Sequence, residues 1–292
     1  MADDDKDALP GESDLDTLPS GSTFGRGTDP GAHGVINASI QDDYYPQLHK
    51  KNVCHIFNNT KSLPFQKCYT EFDNTEDVER LKETLASLNF ECTVHEDQTA
   101  DEMYNKLSKV ASDQDCTLKN VDCFLCWVIT YGDKHHLYAG DKQRLDFDRL
   151  VSPFTGDRCS SLFGKPKLFF FQAMKAVRKE APDTLDSLRS VADEKMYRIP
   201  AVADFCFLFS TPPGYFECGD ENSHLVTTVC RVFDKVVPSE PGHVDLNTLL
   251  MVVSSEAARH FERQQKKYQI PCVMSTLTRH VKFSKWIKSD KK

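Results

Sequence analysis

The residues in this chain with the most chemical potential are its sulfurs and imidazoles. Eleven cysteines in 292 residues are many, yet most lie inside apolar runs such as "CFLCWVIT" and "ADFCFLF", where a reduced cysteine behaves as a small hydrophobe. Cys123 and Cys126 form a C-x-x-C. On a strand their side chains point to opposite faces, which argues against a redox or zinc pair. His135 and His136 are adjacent in a polar stretch with no further ligand at metal spacing. The stretch "LFFFQAMKAV" runs an apolar strand into Gln172, Ala173 and Met174. The Met174 thioether has no acidic proton and cannot become a thiolate. Tyr131, at the end of another apolar run, titrates near pH 10 and is a poor proton shuttle at neutral pH.

Positioning such groups needs a core, and 292 residues can build one large α/β domain or two small ones. Residues 1–50 carry ten Asp/Glu against three Lys/Arg, so −7 of the total −8 sits there. The rest is near neutral, with no field to gather nucleic acid or anionic lipid. The start "MADDDKDALPGE" has no signal-peptide pattern, and no apolar stretch approaches a membrane span. The expected setting is the cytoplasm.

Residues 1–47 are poor in apolar residues and read as a disordered acidic segment, with order beginning at "NVCHIFNN". Asn74 or Thr75 is expected to cap a helix, and Val78, Leu81, Leu85 and Leu88 give it one apolar face. "FECTVHE" reads as a strand, "TADEMYNKLSKVAS" as a helix and "VDCFLCWVIT" as a central strand. This alternation predicts a mostly parallel sheet covered on both sides. Beyond Gln172 the chain turns charged and reads as a linker. The strand "ADFCFLFS", helical patterns near 222–236 and 246–266, and a last strand in "IPCVMSTL" follow.

Five stretches in order, "NN" closing the first strand, the strand into "YGD", "KPKLFFFQA", "IPAVADFCFLFSTPPGY" and "IPCVMSTLTRHVKF", resemble the caspases (peptidase C14) over most of residues 50–285. The likeness is to the short-prodomain effector type, with an insect flavour in loops and prodomain. It implies the α/β caspase–hemoglobinase fold, a six-stranded, mostly parallel sheet with helices on both faces. It also implies a plan of prodomain 1–47, large-subunit region 48–176, linker 177–200, small-subunit region 201–287 and tail 288–292.

Caspases cut after aspartate with a Cys/His pair, and the motif is Q-A-C-[RQG]-G with the histidine about 50 residues upstream. By the resemblance, Met174 stands at the nucleophile and Tyr131 at the base, while Gly132 is retained at the oxyanion hole. The aspartate pocket keeps Gln172, with Phe72 and Gly219 in place of its two arginines. A thiolate and an imidazole are both needed for this chemistry. Backbone oxyanion donors alone leave about 10³–10⁴ over water in a comparable peptidase, given an anchored substrate.

The expectation is therefore a non-enzyme, with no measurable cleavage after aspartate and neither metal nor cofactor. Met174 is either a plug in the cleft or a packing residue left by drift. Cys218 and Cys68 are the remaining candidates for a displaced nucleophile, with no cation or base in view to activate them. Asp186 and Asp193 are candidate cut sites in the linker. Ile270, Pro271, Cys272, Val273 and Met274 match the family strand that pairs across a two-fold axis, the alternative being an ordinary core strand. Expected partners are an active caspase or a second copy, then inhibitors or adaptors, with no nucleic acid or membrane. The function implied is regulation of apoptotic proteolysis, activation favoured over inhibition. The alternative is a peptidase with a shifted nucleophile or altered specificity.

Overall fold

A computed structural model describes residues 44–46, 48, 52–60, 73–112, 117–133, 135–175, 203–213, 224–239, 242–264 and 270–285. Within them the long apolar runs form the middle of a sheet. The strands are β1 (Asn52–Asn59), β2 (Phe90–Glu96), β3 (Phe124–Gly132), β4 (Lys167–Lys175), β5 (Phe205–Phe209) and β7 (Cys272–Ser275). Their order is β2-β1-β3-β4-β5-β7. All neighbours are parallel except β5 and β7. The mostly parallel six-stranded sheet expected from the sequence is thus present. A separate two-stranded ribbon joins β6 (Val244–Asp245) to β8 (Lys282–Phe283).

Strand alternation divides the core in two. Cys54, Ile56, Trp127, Phe170, Met174 and Leu208 face one side, under the helices α1 (Thr75–Ser87), α4 (His224–Val236) and α5 (Leu246–Gln264). Phe57, Phe124, Val128, Phe169, Phe171 and Phe207 face the other, under α2 (Ala100–Ser112) and the short α3 (Phe147–Val151). Covering both faces is what lets β3 and β4 be written as near-continuous apolar runs. The same alternation puts Cys123 and Cys126 in opposite halves of the core, as read for the C-x-x-C.

In α1 the expected apolar face holds: Val78, Leu81, Leu85 and the following Leu88 are all buried. The cap is different. Asn74 occupies the N-cap position but its side chain makes no cap bond. It exchanges two amide hydrogen bonds with Asn58 at the end of β1, at 3.1 and 2.8 Å. Asp73 instead accepts from the Thr75 backbone N–H at 3.1 Å. α2 begins with a capping box: Thr99 N–H donates to Glu102, and Glu102 N–H donates to the Thr99 hydroxyl.

The N-terminal boundary moves. Tyr45 is buried and donates to Asp204 at 2.5 Å, while its backbone N–H donates to the His280 carbonyl. Tyr45, inside the segment read as disordered, is therefore held in place, because a buried aromatic tied by hydrogen bonds outweighs the polar composition around it. Residues 177–200, with Asp186 and Asp193, lie outside the described residues. No helix among the described residues is long and apolar enough to cross a membrane.

Candidate active site

The carboxyl ends of β3 and β4 meet at the middle of the sheet, the place where open α/β sheets build their sites. Their register pairs Ile129 with Gln172, Thr130 with Ala173, Tyr131 with Met174 and Gly132 with Lys175. The two positions assigned from sequence to nucleophile and base are thus direct neighbours across one strand pair. Side chains of register partners on parallel strands project to the same face, so the fold needs no further device to bring them together.

What stands there is apolar and closed. Met174 is 1 % exposed and belongs to the core half that holds Trp127 and Phe170. Tyr131 is partly buried and its hydroxyl donates to the Thr60 carbonyl at 2.7 Å, reaching from β3 to the end of β1. A phenol used as a donor to a backbone oxygen is spoken for. Gly132 is buried and bridges to Leu137 in the turn that follows.

That turn is organised by Asp133. Its carboxylate accepts the backbone N–H groups of His135 and His136 at 2.8 and 2.7 Å, and the hydroxyl of Tyr138. Burial raises the Asp133 carboxyl, but these donors outweigh it and hold the group below its usual range. His135 is exposed, and His136 is partly buried with its Nδ1 3.3 Å from Asp133. Burial, against the pull of Asp133, lowers the His136 imidazole. Both histidines belong to the turn that follows β3.

Gln172 is fully buried with both ends of its amide engaged. Its Oε1 accepts from the Leu225 backbone N–H at 2.8 Å and its Nε2 donates to the Ala173 carbonyl at 2.9 Å. Leu225 is in the first turn of α4, so the amide satisfies one of that helix's orphan donors. In this structure the residue read as a substrate ligand works as a helix cap. Nothing in a single sequence signals that, because the partner lies 53 positions away. Phe72, Gly219, Cys68 and Cys218 lie outside the described residues.

β7 closes the sheet at one edge. Pro271 is buried and Cys272 partly so, while Ile270, Val273 and Met274 are 50 %, 38 % and 39 % exposed. β7 itself carries two exposed large apolar residues, Val273 and Met274, and Ile270 lies just before it; such exposure belongs to an edge and not to the middle of a sheet.

A feature that escaped the sequence reading sits at the opposite edge. His55 on β1 and His95 on β2 stack with parallel rings, their nitrogens 2.9 Å apart. Burial first, then His95 and Lys106, lowers the His55 imidazole to about 4. The two histidines are 40 positions apart, and only strand register brings them together.

A caspase domain matches residues 51–282. The chain belongs to the caspase family. Caspase-3 of Xenopus laevis is 32% identical over 245 residues, covering 82% of each chain. Caspase-1 of Spodoptera frugiperda is 33% identical and covers 83% of this chain and 82% of its own. Caspase drICE of Drosophila melanogaster is 30% identical, covering 82% and 72% respectively. The crystal structure of the Spodoptera frugiperda caspase-1 superposes with a TM-score of 0.64 at 30% identity, covering 84% of this chain and 96% of that one. Insect and vertebrate caspases therefore match this chain at similar levels.

These matches correct the expectation of a non-enzyme. The family and fold are those of active cysteine endopeptidases, and the match spans residues 51–282. Met174 excludes one sulfur as nucleophile, and that exclusion is local. It concerns one side chain and does not extend to every group in the protein.

Proposed function

We propose that this caspase-family protein regulates apoptotic proteolysis by pairing with an active caspase through the β7 edge. The observation that carries this reading is the exposure of Val273 and Met274 on the strand at the end of the sheet, with exposed Ile270 just before it. An unpaired apolar edge is unstable in water and pairs with another strand where one is offered. A second copy of this chain can take the same place, since a two-fold contact is self-complementary. Inhibitors or adaptors of the active enzyme are further candidates for that edge. In this reading the protein works in the cytoplasm and raises its partner's activity, because an added strand orders the partner's sheet.

The test is to mix the full chain with an active caspase and follow both complex formation by sizing and cleavage of an aspartyl peptide. A complex and a faster rate are expected, and Val273→Lys with Met274→Lys should abolish both. Absence of a complex at micromolar concentrations would remove the reading. A slower rate with the complex formed would keep the pairing and reverse the sign.

Family membership favours a second reading, peptide hydrolysis through a thiol other than position 174. It predicts a covalent adduct between this chain and an aspartate-directed electrophile. Mass mapping of the adduct to a cysteine would establish the reading, and unmodified protein would dismiss it.

A further inference from the structure

β1 and β2 hold two thiols side by side. Cys54 and Cys92 are register partners on these parallel strands. Both lie on the α1 side of the sheet, Cys54 fully buried and Cys92 packed against the same core while partly exposed on the edge strand. Neither is in a disulfide, and each thiol shifts the other's ionisation. Paired residues on adjacent strands stand about 5 Å apart between Cα atoms, within the roughly 4.4–6.8 Å that a disulfide spans.

We propose that Cys54 and Cys92 form a redox-modification site, which a peroxide oxidises to an intramolecular disulfide between β1 and β2. The inference is independent of the pairing role argued above.

The two thiols are unlike. The hydrogen bond from Cys54 lowers the Cys92 thiol, and Lys82 on α1 adds to this, against burial and Glu91. Burial raises the Cys54 thiol, and its neighbour Cys92 raises it further. Cys92 is therefore the more readily ionised of the two and Cys54 the proton-bearing partner. The Cys92 sulfur attacks one peroxide oxygen, the O–O bond breaks, and the departing oxygen takes a proton. This leaves a sulfenic acid on Cys92. The Cys54 sulfur then displaces that hydroxyl, its proton leaving with the hydroxyl as water, and the S–S bond forms. Two thiols give up two electrons and two protons, and hydrogen peroxide becomes two waters.

The other described thiols are placed differently. Burial pushes Cys206 up to about 12 and Cys230 to about 11, and drives Cys123 and Cys126 higher still. Cys272 is also partly exposed, but burial raises its thiol and its register partner is Phe209. It is the internal control.

The experiment treats the folded full chain with hydrogen peroxide and maps peptides without reduction. The expected product is a peptide pair joined through Cys54 and Cys92, absent after reduction. With no oxidant, Cys92 should be alkylated about tenfold faster than Cys272 at neutral pH, since the thiolate is the reactive form. In Cys54→Ala, peroxide should leave Cys92 trapped as a sulfenic acid by a dimedone-type probe. Linkage of another pair, overoxidation of wild-type Cys92 without linkage, or alkylation of Cys92 no faster than Cys272 would each overturn the proposal. The wild-type map decides the matter even where a variant fails to fold.

Discussion

Replacing Gln172 tests whether it is a helix cap or an open ligand. In Gln172→Leu the side chain keeps its approximate volume and loses both hydrogen bonds. The Leu225 N–H, buried at the first turn of α4, then has no partner from this side chain, and the Ala173 carbonyl loses a donor. An orphaned buried N–H costs about 1–3 kcal/mol and the second bond about 1 more, so a loss of about 2–4 kcal/mol is expected. Gln172→Glu sharpens the test. A carboxyl there can still accept from Leu225, but its second oxygen faces the Ala173 carbonyl and must carry a proton. The folded pKa is therefore raised above the unfolded value of about 4.3. The variant is near wild type at pH 4 and loses about 1.4 kcal/mol per pH unit above that, until the folded pKa is reached. Urea unfolding followed by fluorescence of the buried Trp127, from pH 4.5 to 7.5, reads both variants. A Leu variant within 0.5 kcal/mol of wild type, or a Glu variant that tracks wild type with pH, would refute the capping role.

Three shorter predictions follow from other buried groups. Met174→Cys should carry a thiol raised by burial, as Cys206 is, and should be alkylated no faster than Cys206 in the folded protein at pH 7.5; rapid modification would show that the site is open to solvent. His55, lowered to about 4, stays neutral in the fold, so it contributes stability above pH 6.5 that is lost as pH falls towards 4. His55→Phe should remove up to about 3 kcal/mol of that acid sensitivity in unfolding titrations, and an unchanged slope would refute the assignment. Tyr45→Phe should cost about 2 kcal/mol, because its hydroxyl bonds Asp204 and accepts the Thr278 N–H. Burial first, and the bond to Asp204 next, raise this phenol to about 12, so its contribution should persist to pH 10 and fade above it. A double-mutant cycle with Asp204→Asn, which suits the positive φ of 70 at that position, checks the coupling.

Much of the architecture could be read from local pattern. The apolar runs at 124–132 and 167–174 are strands because only full burial on both faces rewards such composition, and the spacing of Val78, Leu81, Leu85 and Leu88 admits only a helix. The absence of an ionisable sulfur at 174 is likewise a property of the residue itself. What the chain order could not show is which polar group meets which. Asn74 is a capping type that the fold spends on Asn58, Gln172 is a ligand type that it spends on Leu225, and Tyr45 in a polar stretch finds Asp204 across the molecule. The Cys54–Cys92 and His55–His95 pairs arise only when β1 and β2 come into register. Local periodicity is a short-range property and survives in one dimension. Hydrogen-bond partners and thiol neighbours are chosen by long-range packing, so they are decided only in three dimensions.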